Sequence, residues 1–333
     1  MFRFRHVWLA VALAAGLFVA PSVRGADTKL LPNHTEWMFS INLKQIFDSP
    51  LVKANKENVD QLLALAKNAL PPDEGAEKFL KAAGFDLLKD TVSLSVSGPA
   101  GTDPDKLVIM VEGRFQKAKF LDAADQFAKA AGDVVKVGKI GDTKVFEISV
   151  PGEKVIHAAL VNEKTLVATA SKDILADVIA RDSGTKKSAL KKEIQGLLDT
   201  VSGKQSLNFV ATGAAIAQGI KNAPNIPNPD AVAAALGQID GLSGAITLTK
   251  EVQFQLAVNT KDADTAQKMA QGAQLALGAV KAMVQEKAKT DEKAAIAADV
   301  LKTLRVTNMG PNILFRGEIT LDALEKIFKN LPM

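Results

Sequence analysis

The stretch Trp37–Leu43, with the sequence WMFSINL, decides the fold class of this chain. Phe39 and Ile41 fall on one side of it together with its two end residues, while Ser40 and Asn42 fall on the other side. A period of two is typical of a strand that buries one face and exposes the other, as in antiparallel sheets. The stretch therefore predicts a half-buried antiparallel strand whose phenylalanine faces the core.

Segments with the same alternation recur further along the chain, separated by turn-forming residues. They predict pairs of strands that flank Gly141 and Gly310, and further strands over residues 91–97, 106–114, 155–161, 165–170, 207–211, 244–249 and 252–259. Helical spacing predicts helices over residues 49–68, 74–83, 117–131, 172–181 and 262–302. Because most strands alternate instead of being apolar throughout, we expect an α+β fold with an antiparallel sheet and no parallel βαβ winding.

The order of the predicted elements occurs twice, with the second copy beginning at the strand over residues 207–211. Gly141 precedes Phe146 by five residues, and Gly310 precedes Phe315 by the same number. We therefore predict an internal duplication that gives two similar lobes of antiparallel sheet with helices packed on them. The corresponding division is a signal peptide, a first α+β repeat, a helical connector and a second α+β repeat, at residues 1–25, 26–181, 182–205 and 206–333.

The first residues have the three parts of a secretory signal peptide. Arg3 and Arg5 give a positive start, residues 7–20 are uncharged and mostly apolar, and Pro21 precedes a small-residue exit that ends at Gly25. The apolar run is shorter than the ~20 residues that a membrane-spanning helix needs. We therefore expect cleavage after Gly25, no transmembrane segment in the mature chain, and a periplasmic or extracellular location.

Composition excludes several classes of function. Without the first 25 residues the chain has 38 basic and 37 acidic side chains, so it exerts no long-range attraction on phosphate backbones, and we expect no nucleic-acid partner. The absence of cysteine excludes disulfides and every thiolate metal ligand or nucleophile. Aromatic residues make up 5% of the chain, which argues against stacking platforms for sugars.

Motifs for catalysis or cofactor binding are not found in the sequence. His34 lies in a polar loop and His157 lies within a predicted strand, where a solvated and a packed histidine are the expected roles. No Gly-x-Ser-x-Gly elbow occurs, and residues 132–139 have the wrong spacing for a phosphate-binding loop. We therefore assign no catalytic residue and no cofactor, and predict that the protein is not an enzyme.

Two pairs of aspartates, in residues 103–105 and 262–264, lack the further oxygen ligands of a calcium loop, so we assign no metal site. Asp262 is instead predicted to cap the helix that follows it. The densest positive cluster is predicted to be a solvated surface, with contact to an anionic polymer or to lipid headgroups as the alternative. Its members are Lys186, Lys187, Lys191 and Lys192.

The candidate core consists of alternating phenylalanines and one helical stripe. The phenylalanines predicted to face helices are Phe39, Phe146, Phe254 and Phe315. In the helix after Asp262 the stripe predicted to lie on the sheet is Met269, Ala273, Ala276, Leu277, Val280, Met283 and Val284. Because alanine and methionine form a thin, adaptable layer, a groove for an acyl chain under this helix is the alternative.

Three short motifs resemble those of exported α+β proteins of planctomycete-type bacteria, a group without an assigned function. They are the Leu-Pro-x-x-Thr-Glu stretch at Leu31–Glu36, the Asp-Ser-Pro-Leu-Val helix start at Asp48–Val52, and the Gly-Phe-Asp-x-Leu-Lys-Asp stretch at Gly84–Asp90. The resemblance covers mostly the first half of the chain. Its motifs are structural, so it implies nothing about chemistry.

The sequence favours a non-enzymatic exported protein with a binding or structural role in the cell envelope or outside the cell, and a protein or an apolar molecule as partner. A carrier that holds an apolar, lipid-like ligand between the sheet and the Ala/Met-rich helices is the alternative. An enzyme without a recognisable motif is the second alternative.

Overall fold

The computed structural model describes residues 28–57, 59, 74–101, 103–201, 203–222, 232 and 236–329. The predicted signal peptide and half of the predicted helix over residues 49–68, namely residues 58 and 60–68, lie outside the described residues. The strands are β1 (Trp37–Asn42), β2 (Thr91–Gly98), β3 (Val108–Gly113), β4 (Val135–Ile140), β5 (Thr143–Ile148), β6 (Ile156–Leu160), β7 (Thr165–Thr169), β8 (Leu207–Thr212), β9 (Ile239–Leu248), β10 (Val252–Thr260), β11 (Arg305–Met309) and β12 (Asn312–Ile319).

Helices lie between many of these strands in the chain order. They are α1 (Leu43–Asp48), α2 (Pro50–Ala54), α3 (Glu74–Ala82), α4 (Leu87–Asp90), α5 (Lys117–Ala131), α6 (Lys172–Asp182), α7 (Lys192–Leu198), α8 (Gly213–Asn222), α9 (Ala263–Lys287), α10 (Glu292–Thr303) and α11 (Leu321–Lys329). Local sequence sets several of their ends. Ser171 caps α6 by accepting from the amide of Ile174, and Gly84, with φ +62°, ends the region of α3.

The twelve strands form one antiparallel sheet in the order β11-β12-β10-β9-β8-β1-β2-β3-β7-β6-β5-β4. This confirms the predicted α+β class. The first strand of the chain lies in the middle, where β1 pairs with β2 on one side and with β8 on the other. The segments predicted as two lobes are thus joined edge to edge, with β1 to β7 in one half of the sheet and β8 to β12 in the other.

From the centre outward the two halves have related strand orders. The first proceeds β1-β2-β3 and ends in the hairpin β5-β4, and the second proceeds β8-β9-β10 and ends in the hairpin β12-β11. The hairpin β6-β7 is inserted between β3 and β5. Strand order alone does not demonstrate a duplication, which stays a prediction.

Side chains of β1 alternate between the two faces of the sheet, and Met38 shares a face with Ser40 and Asn42. We call the face that carries Trp37, Phe39 and Ile41 the apolar face, and the face that carries Ser40 and Asn42 the polar face. The prediction that the polar face of β1 is exposed was wrong, because Ser40 and Asn42 are 1% and 2% exposed whereas Phe39 is 37% exposed. Both faces of this central strand are covered in part, which an alternating pattern cannot reveal.

Helices α3 and α5 cover the apolar face of the first half through a phenylalanine cluster. The rings of Phe85 and Phe115 stack with centroids 4.7 Å apart, and Phe120 meets Phe115 edge-on at 5.4 Å. This cluster packs against Leu160 and Leu166 of the sheet. Of the phenylalanines predicted to form the core, Phe146 is buried, Phe254 and Phe315 are half-buried, and Phe39 is not a core residue.

On the polar face, helix α6 packs on β6 and β7 and helix α7 packs on β8 and β9. Ile194 and Leu197 of α7 belong to the same buried cluster as Met38 of β1 and Val210 of β8. The predicted connector, residues 182–205, thus supplies core residues that bridge the two halves.

Helix α9 lies on the apolar face of the second half, on a stripe that agrees with the predicted one only in part. Ala266 and Ala270 are buried against Val258 and Ile313, with Ala273 and Leu277 half-buried beside them. The predicted sheet-facing residues Met269, Ala276, Val280 and Met283 are exposed instead. Alanines face the sheet because their small side chains allow the helix axis to approach the strands closely.

Candidate functional site

His34 and His157 have different contacts in the structure. His34 is half-buried, and its Nε2 lies 3.1 Å from the carbonyl oxygen of Lys106. His157 is buried on β6, with its Nδ1 3.9 Å from a carboxylate oxygen of Glu147. Neither pairs with a serine or threonine hydroxyl within the described part of the chain, so the structure does not bring them into one site.

The predicted acidic pairs are occupied by local contacts. Asp103 lies 2.9 Å from the ammonium group of Lys106, and Asp105 lies 2.5 Å from that of Lys154. Asp262 caps α9 by accepting from the amide of Thr265 at 2.7 Å, as predicted. Within the described ranges no group of three or more histidine, aspartate or glutamate side chains is placed to hold a metal ion.

Two of the four clustered lysines reach carboxylates. Lys186 pairs with Asp177 at 2.6 Å, and Lys191 donates to the buried carboxylate of Glu36. This hydrogen bond raises the pKa of Lys191. The cluster is therefore partly neutralised by the fold.

Glu36 lies beside a cavity of about 370 Å3 at the start of β1. Besides Lys191, the hydroxyl of Thr212 donates to its carboxylate at 2.6 Å, so Glu36 is fully engaged in holding β1, β8 and the residue before α7 together. The far wall of the cavity contains Gly213 and Asp240. These contacts indicate that the Glu36 carboxylate stabilises the fold.

A band of polar side chains crosses the polar face from the first half into the second. Cross-strand partners place seven residues in one row over seven neighbouring strands. The row is Ser95, Ser40, Asn208, Ala245, Gln255, Arg316 and Arg305. A parallel row beside it includes Ser93, Asn42, Thr247, Gln253 and Glu318. We call these two rows the polar band.

The inner part of the polar band is buried without full hydrogen bonding. Asn208 is 4% exposed and Ser95 is 1% exposed. The side-chain oxygen of Asn208 and the hydroxyl of Ser95 have no hydrogen-bond partner in the described structure. Burying such groups unpaired costs free energy, so a fold that retains them needs a reason other than core stability.

The outer part of the polar band opens into a second cavity of about 370 Å3, which we call the arginine groove. It lies where β9, β10, β11 and β12 meet the end of α10. Its lining is Gln205, Ala245, Thr247, Gln253, Phe254, Gln255, Thr303, Arg305, Arg316, Gly317 and Glu318. Ala245, at the inner end of the groove, is the cross-strand neighbour of the buried Asn208, which lies roughly 14 Å from Arg316 along the row.

The arginine groove was not predicted from the sequence, which places its residues on five separated segments. The alternation of Gln253 and Gln255 with apolar residues is visible, and it predicts only a solvated strand face. Nothing in the linear pattern indicates that β12 and β11 bring Arg316 and Arg305 beside these amides.

The carboxyl groups with a displaced pKa are all displaced downward in the described residues. They are Asp48, Asp86, Asp103, Asp262 and Asp299. At Asp48 and Asp86 partial burial opposes the shift and is outweighed by hydrogen bonds to the charged form. Hydrogen bonds likewise hold the pKa of the other three down, mainly from Lys106, from the amide of Thr265 and from Lys302.

Comparisons with known proteins add a single distant neighbour. No protein-family model and no curated protein matches the chain. Among solved structures, crystal form IV of TP0453 is similar over 90% of this chain and 95% of that one, with 9% identity and a TM-score of 0.42. A similarity at this level says nothing about a ligand or partner. Among the described helices, none is both long and apolar enough to span a bilayer.

Proposed function

We propose that this chain is an exported, non-enzymatic binding protein and that the arginine groove is its binding site for a polar ligand. The observation that carries the proposal is the polar band, which is buried at one end and opens at the other into a cavity. Amide, hydroxyl and guanidinium groups line that cavity, and convergent polar groups in a concave site are the usual features of a ligand site.

The size of the cavity supports a small ligand or one unit of a polymer. About 370 Å3 lies at the lower end of the range of ligand sites, which extends from roughly 300 to 1,000 Å3. Gln253 is exposed and Thr247 is half-buried, so ligand atoms can reach both side chains without a rearrangement of the strands.

A role outside the cytoplasm is supported by the leader-like residues 1–25. Their positive start, apolar run and small-residue exit are what an export signal requires. The proposed internal repeat is supported by the two-residue turns of the hairpins β4-β5 and β11-β12, in which Gly141 and Gly310 both have φ +56°.

The displaced pKa values among the described carboxyl groups belong to ion pairs and helix caps. A catalytic carboxylic acid usually needs a pKa raised toward neutrality. The displaced carboxyl groups of this protein favour the charged form instead, which is typical of ion pairs and helix caps that stabilise a fold.

The alternative of an apolar carrier has less support. Ala266 and Ala270 of α9 are 0% and 2% exposed, so the helix is in direct contact with the sheet where an acyl chain would lie. The arginine groove is lined mainly by polar-face residues and contains no residue of this contact.

Native mass spectrometry of protein purified from its own host tests the proposal. We expect an added mass that corresponds to a polar molecule. Gln253→Trp, which fills the groove, should remove this mass. Gln271→Trp is the matched control, because Gln271 is also an exposed glutamine but lies on α9. A bound lipid that is insensitive to Gln253→Trp would contradict the proposal and favour the carrier.

A further inference from the structure

The arginine groove contains two like charges at directly opposite positions. Arg305 of β11 and Arg316 of β12 are cross-strand partners, and both are exposed on the polar face. Side chains in such a pair have Cβ atoms about 4.5–5.5 Å apart, and like charges at that distance destabilise a sheet. Guanidinium groups cannot relieve the repulsion by losing a proton.

The fold does not compensate these charges with a carboxylate. In the described structure neither arginine forms an ion pair. Glu318 also lines the groove, but it lies two positions along the strand from Arg316, roughly 7 Å away. The groove therefore carries excess positive charge.

The corresponding hairpin of the first half shows that this arrangement is not a requirement of the fold. In the hairpin β4-β5, Lys136 and Glu147 lie five residues before and six residues after Gly141 and are cross-strand partners. Arg305 and Arg316 have the same positions relative to Gly310 in the hairpin β11-β12. The pair in the first half has opposite charges. The like-charged pair is thus a specific feature of the groove.

Hydrogen bonds hold both guanidinium groups in place before any ligand arrives. Nε of Arg316 donates to the side-chain oxygen of Gln255 at 2.8 Å. Nη1 of Arg305 donates to the carbonyl oxygens of Leu304, at 3.1 Å, and of Lys302. The terminal nitrogens of Arg316 have no partner among the described residues, so they are available to an acceptor.

We propose that Arg305 and Arg316 bind an oxyanion of the ligand: a carboxylate, a sulfate or a phosphate. A guanidinium group presents parallel N–H donors that match two oxygens of such a group, and a bound anion removes the repulsion within the pair. The uncharged part of the ligand lies along the outer part of the polar band, with hydroxyl groups against Thr247 and Gln253. This inference rests on the proposed binding function and adds the chemical class of the ligand.

Calorimetric titration of the mature chain tests the inference, with D-glucuronate, D-glucose, inorganic sulfate and inorganic phosphate as probes. We expect D-glucuronate to bind at least tenfold more tightly than D-glucose, and added NaCl to weaken the binding. Tighter binding of sulfate or phosphate than of D-glucuronate would also support an oxyanion site, and would assign it to a sulfated or phosphorylated ligand.

Arg316→Glu separates binding from folding. It recreates the opposite-charge arrangement of the first hairpin, so the melting temperature should not fall, while anion binding should weaken at least tenfold. Lys136→Gln is the control, because it removes a positive charge at the corresponding position of the first half and should leave binding unchanged.

Three results would overturn the inference: equal binding of D-glucuronate and D-glucose, no binding of any anion, or full binding by Arg316→Glu. The binding function proposed above and the anionic class of the ligand can fail independently. A neutral polar ligand that native mass spectrometry finds, and that Gln253→Trp removes, would retain the binding function and reject only the anionic class.

Discussion

At the scale of single residues, Arg181 is a charged side chain placed in the core. Its side chain is 1% exposed, and its Nη2 donates to Asn33 at 2.9 Å and to Asp177 at 3.4 Å. Its Nε and Nη1 have no hydrogen-bond partner in the described structure. Arg181 thus ties the segment before β1 to α6, at the cost of incomplete hydrogen bonding.

We expect Arg181→Ala to lower the free energy of unfolding by about 2–4 kcal/mol, because it leaves a cavity among buried residues. Arg181→Met should cost less than about 1.5 kcal/mol, since an apolar side chain of similar length fills the space and removes the under-bonded charge. Urea unfolding of both variants measures the difference. A methionine variant as unstable as the alanine variant would show that the charge itself is needed.

Two phenylalanines differ in how deeply their side chains are buried. Phe120 is 5% exposed and contacts Phe79 and Phe115, whereas Phe39 is 37% exposed. Phe120→Ala should cost about 3–5 kcal/mol of stability, and Phe39→Ala less than half of that. Chemical denaturation of the two variants measures both. Equal losses would mean that the apolar face of β1 is covered more fully than the structure shows.

At the scale of elements, Asp299 connects α10 to α11. Its carboxylate lies 2.8 Å from the ammonium group of Lys302 and 3.0 Å from that of Lys326. These contacts lower the pKa of Asp299 below its usual value of 3.8. A lowered pKa in the folded state means that the stabilisation is complete above pH 3.8 and is lost as the pH falls through the folded-state value.

Asp299→Asn should therefore reduce stability at pH 7 by about 1 kcal/mol or less, since these side chains are partly exposed. The difference from the unsubstituted chain should be smaller at pH 2 than at pH 7, because protonation of Asp299 removes the interaction. Unfolding curves at both pH values measure it, with Asp142→Asn, at the exposed turn after β4, as the control. An equal deficit at pH 7 and pH 2 would contradict the electrostatic origin.

The elements also show how far the sequence could predict the structure. Alternation located the strands, and the caps at Ser171 and Asp262 located helix starts, because these signals are local. The burial of Ser40 and Asn42 could not be predicted, since it depends on α7, which follows some 150 residues later. The stripe of α9 was predicted only in part, because apolar residues extend around much of the helix and contact with the sheet decides which of them are buried.

The candidate site was less predictable than the fold. Arg305 and Arg316 are separated by a short hairpin and look like ordinary charges in two alternating strands. Their significance comes from register, which places them opposite each other, and from the position of β12 beside β10. Register and strand order are set by contacts over the whole sheet.

At the scale of the whole molecule, the two halves share one sheet and one core. β1 and β8 pair over five residue positions, and α7 packs on β8 and β9 of the second half. The buried cluster that contains Met38 also contains Val210. An interface of this kind, formed by sheet and core, couples the halves more strongly than a linker does.

We therefore expect a single unfolding transition. Phe120→Ala in the first half should shift that transition as a whole, without separating a second one. Differential scanning calorimetry checks this through the ratio of calorimetric to van't Hoff enthalpy, which should be close to one. Two resolved transitions, with only one of them moved by Phe120→Ala, would mean that the halves fold independently.

The central claim is that the ligand site lies on the polar face of the second half. Hydrogen–deuterium exchange tests it most directly, by comparing protein as isolated from its host with the same protein after denaturation, removal of small molecules and refolding. The account predicts that the isolated form is protected in β9, β10 and β12 around Thr247, Gln253 and Arg316. Protection confined to α9 and to the apolar face beneath it would contradict the account.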